Sequence, residues 1–178
     1  MGKYNVQSII EGTNRDFLFF WGHNPSEDGE ITSSCLSQWF IAPMKVDGIV
    51  YPTAEHWMMS KKALLFGDTV AHQRIMASHS PKIAKHYGRM VAGYDESTWV
   101  AQRESVLLEG NQHKFTQHSG LKKYLLGTGD QIIVEASPYD KIYSIGMDSE
   151  DPNALIPEHW NGLNVLGFCL MEVRDILK

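Results

Sequence analysis

The segment from Thr53 to Phe66 leaves this chain little freedom in how it folds. Wound at about 3.6 residues per turn, it carries Trp57 above Leu64 on one stripe and Met58 above Leu65 on a second. Glu55, Met59, Lys62 and Phe66 form a third. A helix apolar round so much of its circumference must be surrounded by other elements. Thr53 is placed to cap its start, and Gly67 to stop it.

Within that oily helix, Glu55 and Lys62 share one stripe two turns apart, separated by Met59. Burying a carboxylate or an ammonium without partners costs several kcal/mol. The stripe therefore opens onto a solvated cavity, or the charges find close partners, or the face is a plain surface stripe after all. A desolvated lysine loses proton affinity and becomes a usable amine nucleophile. A desolvated glutamate moves toward acid and base work near neutral pH.

Around this helix the pattern predicts further elements. Phe17–Trp21 is an aromatic run that leads into a turn-rich stretch, and the N-terminal third reads as strands and loops. Lys45–Tyr51 resembles a hairpin turning on Asp47-Gly48. Helices are expected over Thr69–Ala77, from Ser80-Pro81 to Gly88, from Asp95 or Ser97 through Phe115, over Leu121–Leu126 and over Asn164–Leu177. Gln131–Glu135 is a strand candidate and Tyr143–Ile145 a second. This makes an α+β chain, mostly helical with a small β-sheet. With 178 residues, 43% hydrophobic and 21% charged, it reads as one compact domain over 1–178.

The formal charge of −5 disfavours a general duplex binder, which needs clustered Lys and Arg against phosphates. The two cysteines, Cys35 and Cys169, have neither zinc spacing nor a disulfide pattern and read as free buried thiols. The histidines are scattered; His56 reads as a surface or packing residue. No metal is expected. No leader pattern and no membrane-length apolar run appear, so the expected compartment is the cytoplasm or the nucleus.

The run Val46–Met59 (VDGIVYPTAEHWMM) followed by Lys62 resembles the entry motif of the NADAR family, also called YbiA-like or DUF1768. Other pieces follow in order. They are Phe19-Phe-Trp-Gly22, Cys35-Leu-Ser-Gln-Trp39, Ala84 through Gly88-Arg89, Trp99, Gly110-Asn111 and Lys114-Phe115. Val134–Asp140, Gly146, Trp160–Asn164, Leu166-Gly167 and Met171–Arg174 complete the series. One departure is Gln38, where the family often carries Asn.

The resemblance implies a YbiA-like α+β domain that acts as an N-glycosidase and needs no cofactor. One branch of the family is described as splitting ribosylated pyrimidine phosphates of riboflavin biosynthesis. Another removes ADP-ribose from guanine in DNA or RNA. By matched positions, Glu55, Lys62 and Asp140 are the catalytic candidates. Trp21, Gly22, Ser37, Arg89, Trp99 and Asn164 are the candidates for substrate binding. Trp99 would stack on a ring, Arg89 would clamp a phosphate, and Asn164 would hydrogen-bond the sugar or cap the last helix. The competing reading is a module that binds ADP-ribose or NAD without cleaving it. A carboxylate and an amine on one buried stripe favour the enzyme.

Overall fold

The computed structural model of the protein describes residues 2–178. In chain order its elements are α1 (Val6–Glu11), β1 (Phe17–Phe20), β2 (Met44–Val46), β3 (Ile49–Tyr51), α2 (Ala54–Leu65) and α3 (Thr69–Ala77). Then come α4 (Pro81–Arg89), α5 (Glu96–Gln117), α6 (Ser119–Gly127), β4 (Ile132–Glu135) and α7 (Val165–Leu177). Short 3-10 turns occupy Ser33–Leu36, Pro152–Leu155 and Pro157–His159. Helix outweighs strand, as expected of the α+β chain. No helix among the described residues is long and apolar enough to cross a membrane. The elements gather into two units, one of the chain up to Ser37 with Ser119–Lys178, the other of Gln38–His118.

In the Gln38–His118 unit, α2 is the centre and α3, α4 and α5 pack on it. Its N-terminus is set by Thr53, whose hydroxyl accepts from the His56 N–H. Its end falls at Gly67, with φ of +71°. The hairpin β2–β3 turns on Asp47 and Gly48, both at positive φ (50° and 83°), the requirement of a two-residue type I′ turn. Met44, Tyr51, Ala54 and Trp57 form its core under α5. The Trp57 indole N–H, which would be costly to bury unpaired, donates to the Val106 carbonyl at 2.9 Å.

Two glycines allow the helices to approach α2. A Cβ on Gly110 would stand 2.4 Å from Trp57 Cδ1, and one on Gly88 would stand 2.0 Å from Met59 Sδ. Asp68 caps α3 through the Ala71 N–H and also accepts from Ala92 N–H at 2.8 Å, so one carboxylate ties the start of α3 to the segment after α4. Asp95, rather than Ser97, caps α5. Hydrogen bonds from Ser97 and Thr98 lower its carboxyl to about 2. Ser80 precedes Pro81 as expected, but its hydroxyl makes no cap bond.

In the other unit, β1 pairs with β4 in parallel, Phe17 opposite Ile132 and Phe20 opposite Glu135. α7 packs on β4 so closely that a Cβ on Gly167 would lie 2.1 Å from the Ile133 carbonyl oxygen. The N-terminal third was expected to hold only strands and loops, yet it contains α1. Asn5 and Ser8 close a reciprocal capping box there, and six residues are too few to display a helical period. Tyr143–Ile145 is not a strand. It lies beside β4 through the bond from Ile145 N–H to Glu135 O, and Ser144 turns its hydroxyl onto Glu135 and Ser137 carbonyls. Cys35 and Cys169 are both buried thiols.

Candidate active site

The mixed stripe of α2 is held from both ends. Glu55 is only 2% exposed, and its backbone N–H, one of the orphan donors of a first helical turn, donates to Gln38 O at 3.0 Å. The Gln38 side chain donates to Asn111 Oδ1 at 2.9 Å, and Asn111 donates to the Leu107 carbonyl. The longer amide at 38 thus reaches α5. Between the two charges sits Met59, pressed by Gly88.

At the other end of the stripe, the Lys62 ammonium lies 4.2 Å from the centroid of the Tyr94 ring and 5.6 Å from that of Trp99. Burial pushes its proton affinity down, the Arg89 charge pushes it further, and Glu55 pulls the other way. Gly88 explains why Arg89 acts on it, because the close approach of α4 to α2 carries the next residue toward the same stripe. Amine, guanidinium, carboxylate and two rings therefore belong to one constellation. A lysine so placed is more readily neutral than an exposed one, which is what nucleophilic use of an amine requires. Trp99 is 5% exposed, with the amine over its ring.

His56 is buried and knits the start of α2 to the link between α3 and α4. Its Nε2 faces the Ser78 carbonyl at 3.0 Å, and its Nδ1 faces the Thr53 hydroxyl at 2.8 Å. A carbonyl only accepts, so the proton sits on Nε2. His56 is a packing residue.

The remaining candidates lie in the unit of β1, β4 and α7. Trp21 and Gly22 follow β1, Gly22 at φ +88°. The Trp21 ring is 55% exposed, and 6.0 Å away stands the ring of Tyr139, 85% exposed. Ser37 is buried after its 3-10 turn. Asp140 Oδ1 accepts from the Ile142 and Tyr143 N–H groups, both at 2.9 Å, a turn that sets the loop after β4. Asn164 occupies the N-cap position of α7 at φ 51° without capping it. Its Oδ1 accepts from Glu135 N–H and its Nδ2 donates to Ile133 O, each at 3.0 Å, so both ends of the amide hold β4. Among the described residues no group of three His, Cys, Asp or Glu side chains is arranged to hold a metal ion.

A profile of the NADAR domain matches residues 19–178. The chain belongs to the NADAR family. The match runs through both units. Among its NADAR relatives is the N-glycosidase R617 of Acanthamoeba polyphaga mimivirus, 37% identical over 89% of this chain and 95% of that protein. The N-glycosidase YbiA of Escherichia coli is 32% identical over 97% of this chain and 93% of its own. The solution structure of E. coli YbiA superposes with a TM-score of 0.72 at 28% identity, covering 97% of this chain and 90% of that one.

Tyr94, the ring nearest the Lys62 amine, is absent from the residues singled out in the sequence. The signal was there. With Asp95 as N-cap, Tyr94 stands at N′ and Trp99 at N4, the two positions of a hydrophobic staple.

Proposed function

We propose that this protein is an N-glycosidase that cleaves the bond between a ribose carbon and a nitrogen, with Lys62 and Glu55 in its active site. The observation that carries the reading is the Lys62 amine, held over Tyr94 and Trp99 with its proton affinity lowered, on the α2 stripe that also bears buried Glu55. The names of the relatives support the same bond type. The substrate is ADP-ribosylated guanine in nucleic acid or a ribosylated pyrimidine phosphate of riboflavin biosynthesis. A flipped-out base in a pocket needs few backbone contacts, which suits an acidic chain.

In the proposed reaction the neutral Lys62 Nζ attacks the anomeric carbon. The carbon–nitrogen bond breaks and its electron pair goes to the leaving nitrogen, while the Glu55 carboxylate takes a proton from Nζ and hands it to that nitrogen. The adduct opens its ring to a Schiff base, the Nζ proton passing to the ring oxygen, and water hydrolyses the imine to free sugar and free amine. Asp140 is proposed as the second acid, stabilising positive charge at the anomeric carbon. Trp21, with its exposed ring, is proposed to stack on the heterocycle, beside Gly22 and Ser37; Arg89 is proposed to clamp a phosphate.

The test is to offer the purified protein both substrate types and follow by mass spectrometry which one loses its sugar. Lys62→Ala is expected to abolish release, and borohydride is expected to trap the sugar on Lys62 of the wild type. Turnover that survives Lys62→Ala sinks the covalent route. Tight ADP-ribose binding without release from either substrate makes the protein a reader instead.

A further inference from the structure

Met171 and Arg174, the ends of a sequence motif that the proposed reaction leaves unused, line a cavity of about 380 Å³. Its walls come from α1 and the segments on either side of it, the entry to β4 and the last turns of α7, all within one unit of the chain. Cavities of this size hold small molecules. None of the residues proposed for catalysis or substrate binding belongs to it.

Arg174 is 2% exposed. Its Nη1 donates to Thr128 Oγ1 and to the Gln131 carbonyl, both at 2.8 Å. Its Nε is buried without a partner. Among the described residues no other side-chain hydrogen bond and no ion pair to Arg174 occurs. A guanidinium has five N–H donors and keeps its charge, so the Nε donor and both donors of Nη2 are unanswered. Nη2 has no partner and is not sealed off as Nε is, which makes it the end that meets the cavity.

The two acids that line the same cavity are already engaged. Asp175 takes the Lys3 ammonium and accepts from the Tyr4 hydroxyl. Lys178 stands 3.6 Å from Asp175 and 3.5 Å from Asp130. Each acid thus has an ammonium, and the guanidinium has none. Burial lowers the proton affinity of Arg174 although Tyr4, Asp175 and Asp130 push the other way, so its charge is carried there at a cost. Beside it the cavity is lined by buried Ile9, Ile132 and Met171.

We infer that this cavity is a second ligand site, which takes a small monocarboxylate with an apolar body, the carboxylate on Arg174 and the body against Ile9, Ile132 and Met171. A carboxylate answers the planar donors with a single charge. A dianion such as phosphate meets repulsion from Asp130 and Asp175, and a neutral ligand leaves the guanidinium without a counter-charge. The site shares no residue with the N-glycosidase reading and stands or falls separately from it.

The experiment titrates the full chain with benzoate, with benzamide as a neutral molecule of the same shape, and with inorganic phosphate, following affinity by calorimetry and location by backbone amide NMR shifts. Benzoate is expected to bind on the order of 10-fold more tightly than benzamide, the range of a charge-assisted hydrogen bond, and to shift the amides of Thr13, Asn14, Ile132 and Met171. Arg174→Gln is expected to bring benzoate down to the affinity of benzamide. Arg174 also ties α7 to Thr128 and Gln131, so Thr13→Trp decides if Arg174→Gln does not fold. Thr13 is exposed at the cavity, and an indole there is expected to fill the space and abolish the shifts. Equal affinity for benzoate and benzamide, no saturation by about 10 mM, or shifts confined to other residues overturns the site. So does unchanged benzoate binding in folded Arg174→Gln or in Thr13→Trp. Phosphate that displaces benzoate at equal concentration overturns the carboxylate assignment.

Discussion

Gly110 faces the Trp57 indole across the α2–α5 contact with no space for a methyl group, since a Cβ there would come within 2.4 Å of Cδ1 and 2.8 Å of Nε1. Gly110→Ala tests how much this approach matters. In a free helix the change is favourable by about 1 kcal/mol. Here the rigid ring cannot yield as a flexible chain would, and overpacking costs typically about 1–3 kcal/mol. Gly110→Ala is expected to lower stability in urea unfolding. A net gain would mean that α5 slides away from Trp57 at no cost.

Arg89 lowers the proton affinity of Lys62, and Glu55 raises it. If the neutral amine is the reactive form, kcat/KM rises with pH through a value below the ordinary lysine pKa of 10.5. Arg89→Gln removes one cause of the lowering, so the rising limb is expected to move to higher pH. Glu55→Gln is expected to move it lower, besides reducing the rate. A limb that stays put in Arg89→Gln argues that another group titrates.

The same shift has a sign for stability. A lysine whose folded pKa lies below its unfolded value binds fewer protons when folded, so stability falls as pH drops from 10.5 through the folded value. Below that window the ammonium is carried at a penalty. Lys62→Met is therefore expected to melt at or above the wild-type temperature at pH 7 while losing activity. A large loss of stability would show that Lys62 holds the fold.

His56 is buried in its neutral form, and burial holds its pKa below 6.5. The unfolded chain takes up the proton first, so stability is full above 6.5 and falls as pH drops toward the folded value. Replacing the ring by His56→Gln is expected to flatten this acid limb and to cost about 1–3 kcal/mol near neutrality through the bonds to Thr53 and Ser78. Urea unfolding between pH 4.5 and 7.5 measures both. An unchanged slope would exonerate His56.

Asn164 separates scaffold from substrate contact. Its amide satisfies Glu135 N–H and Ile133 O, and its backbone sits at φ 51°, a region Asn tolerates better than most residues. Asn164→Asp turns a donor into an acceptor against the Ile133 carbonyl and is expected to cost several kcal/mol. Asn164→Gly keeps the backbone freedom and loses only the bonds, so it is expected to be milder. If both variants melt like the wild type and KM alone rises, Asn164 works on the sugar.

What can be read in the sequence follows from local physics. Periodicity and caps located α2, α3, α4, α5 and α7 within a few residues, because Thr53, Asp95, Pro81 and Gly67 act on their own helices. The type I′ turn was legible in Asp47-Gly48 because its dihedral demand is local. α1 was missed because it is short, and Tyr143–Ile145 looked like a strand because its apolar alternation serves contacts along β4 rather than a ladder.

Residue order alone placed Glu55 and Lys62 on one face of one helix and carried the NADAR motifs. Tertiary structure decided that Tyr94 and Trp99 flank the amine, that α4 comes close enough at Gly88 for Arg89 to act on Lys62, that Gln38 reaches Asn111, and that Arg174 lines a cavity. Periodicity reports which face of a helix is buried; it carries no information on what buries it, because distance and dielectric arise only when helices far apart in sequence close around α2.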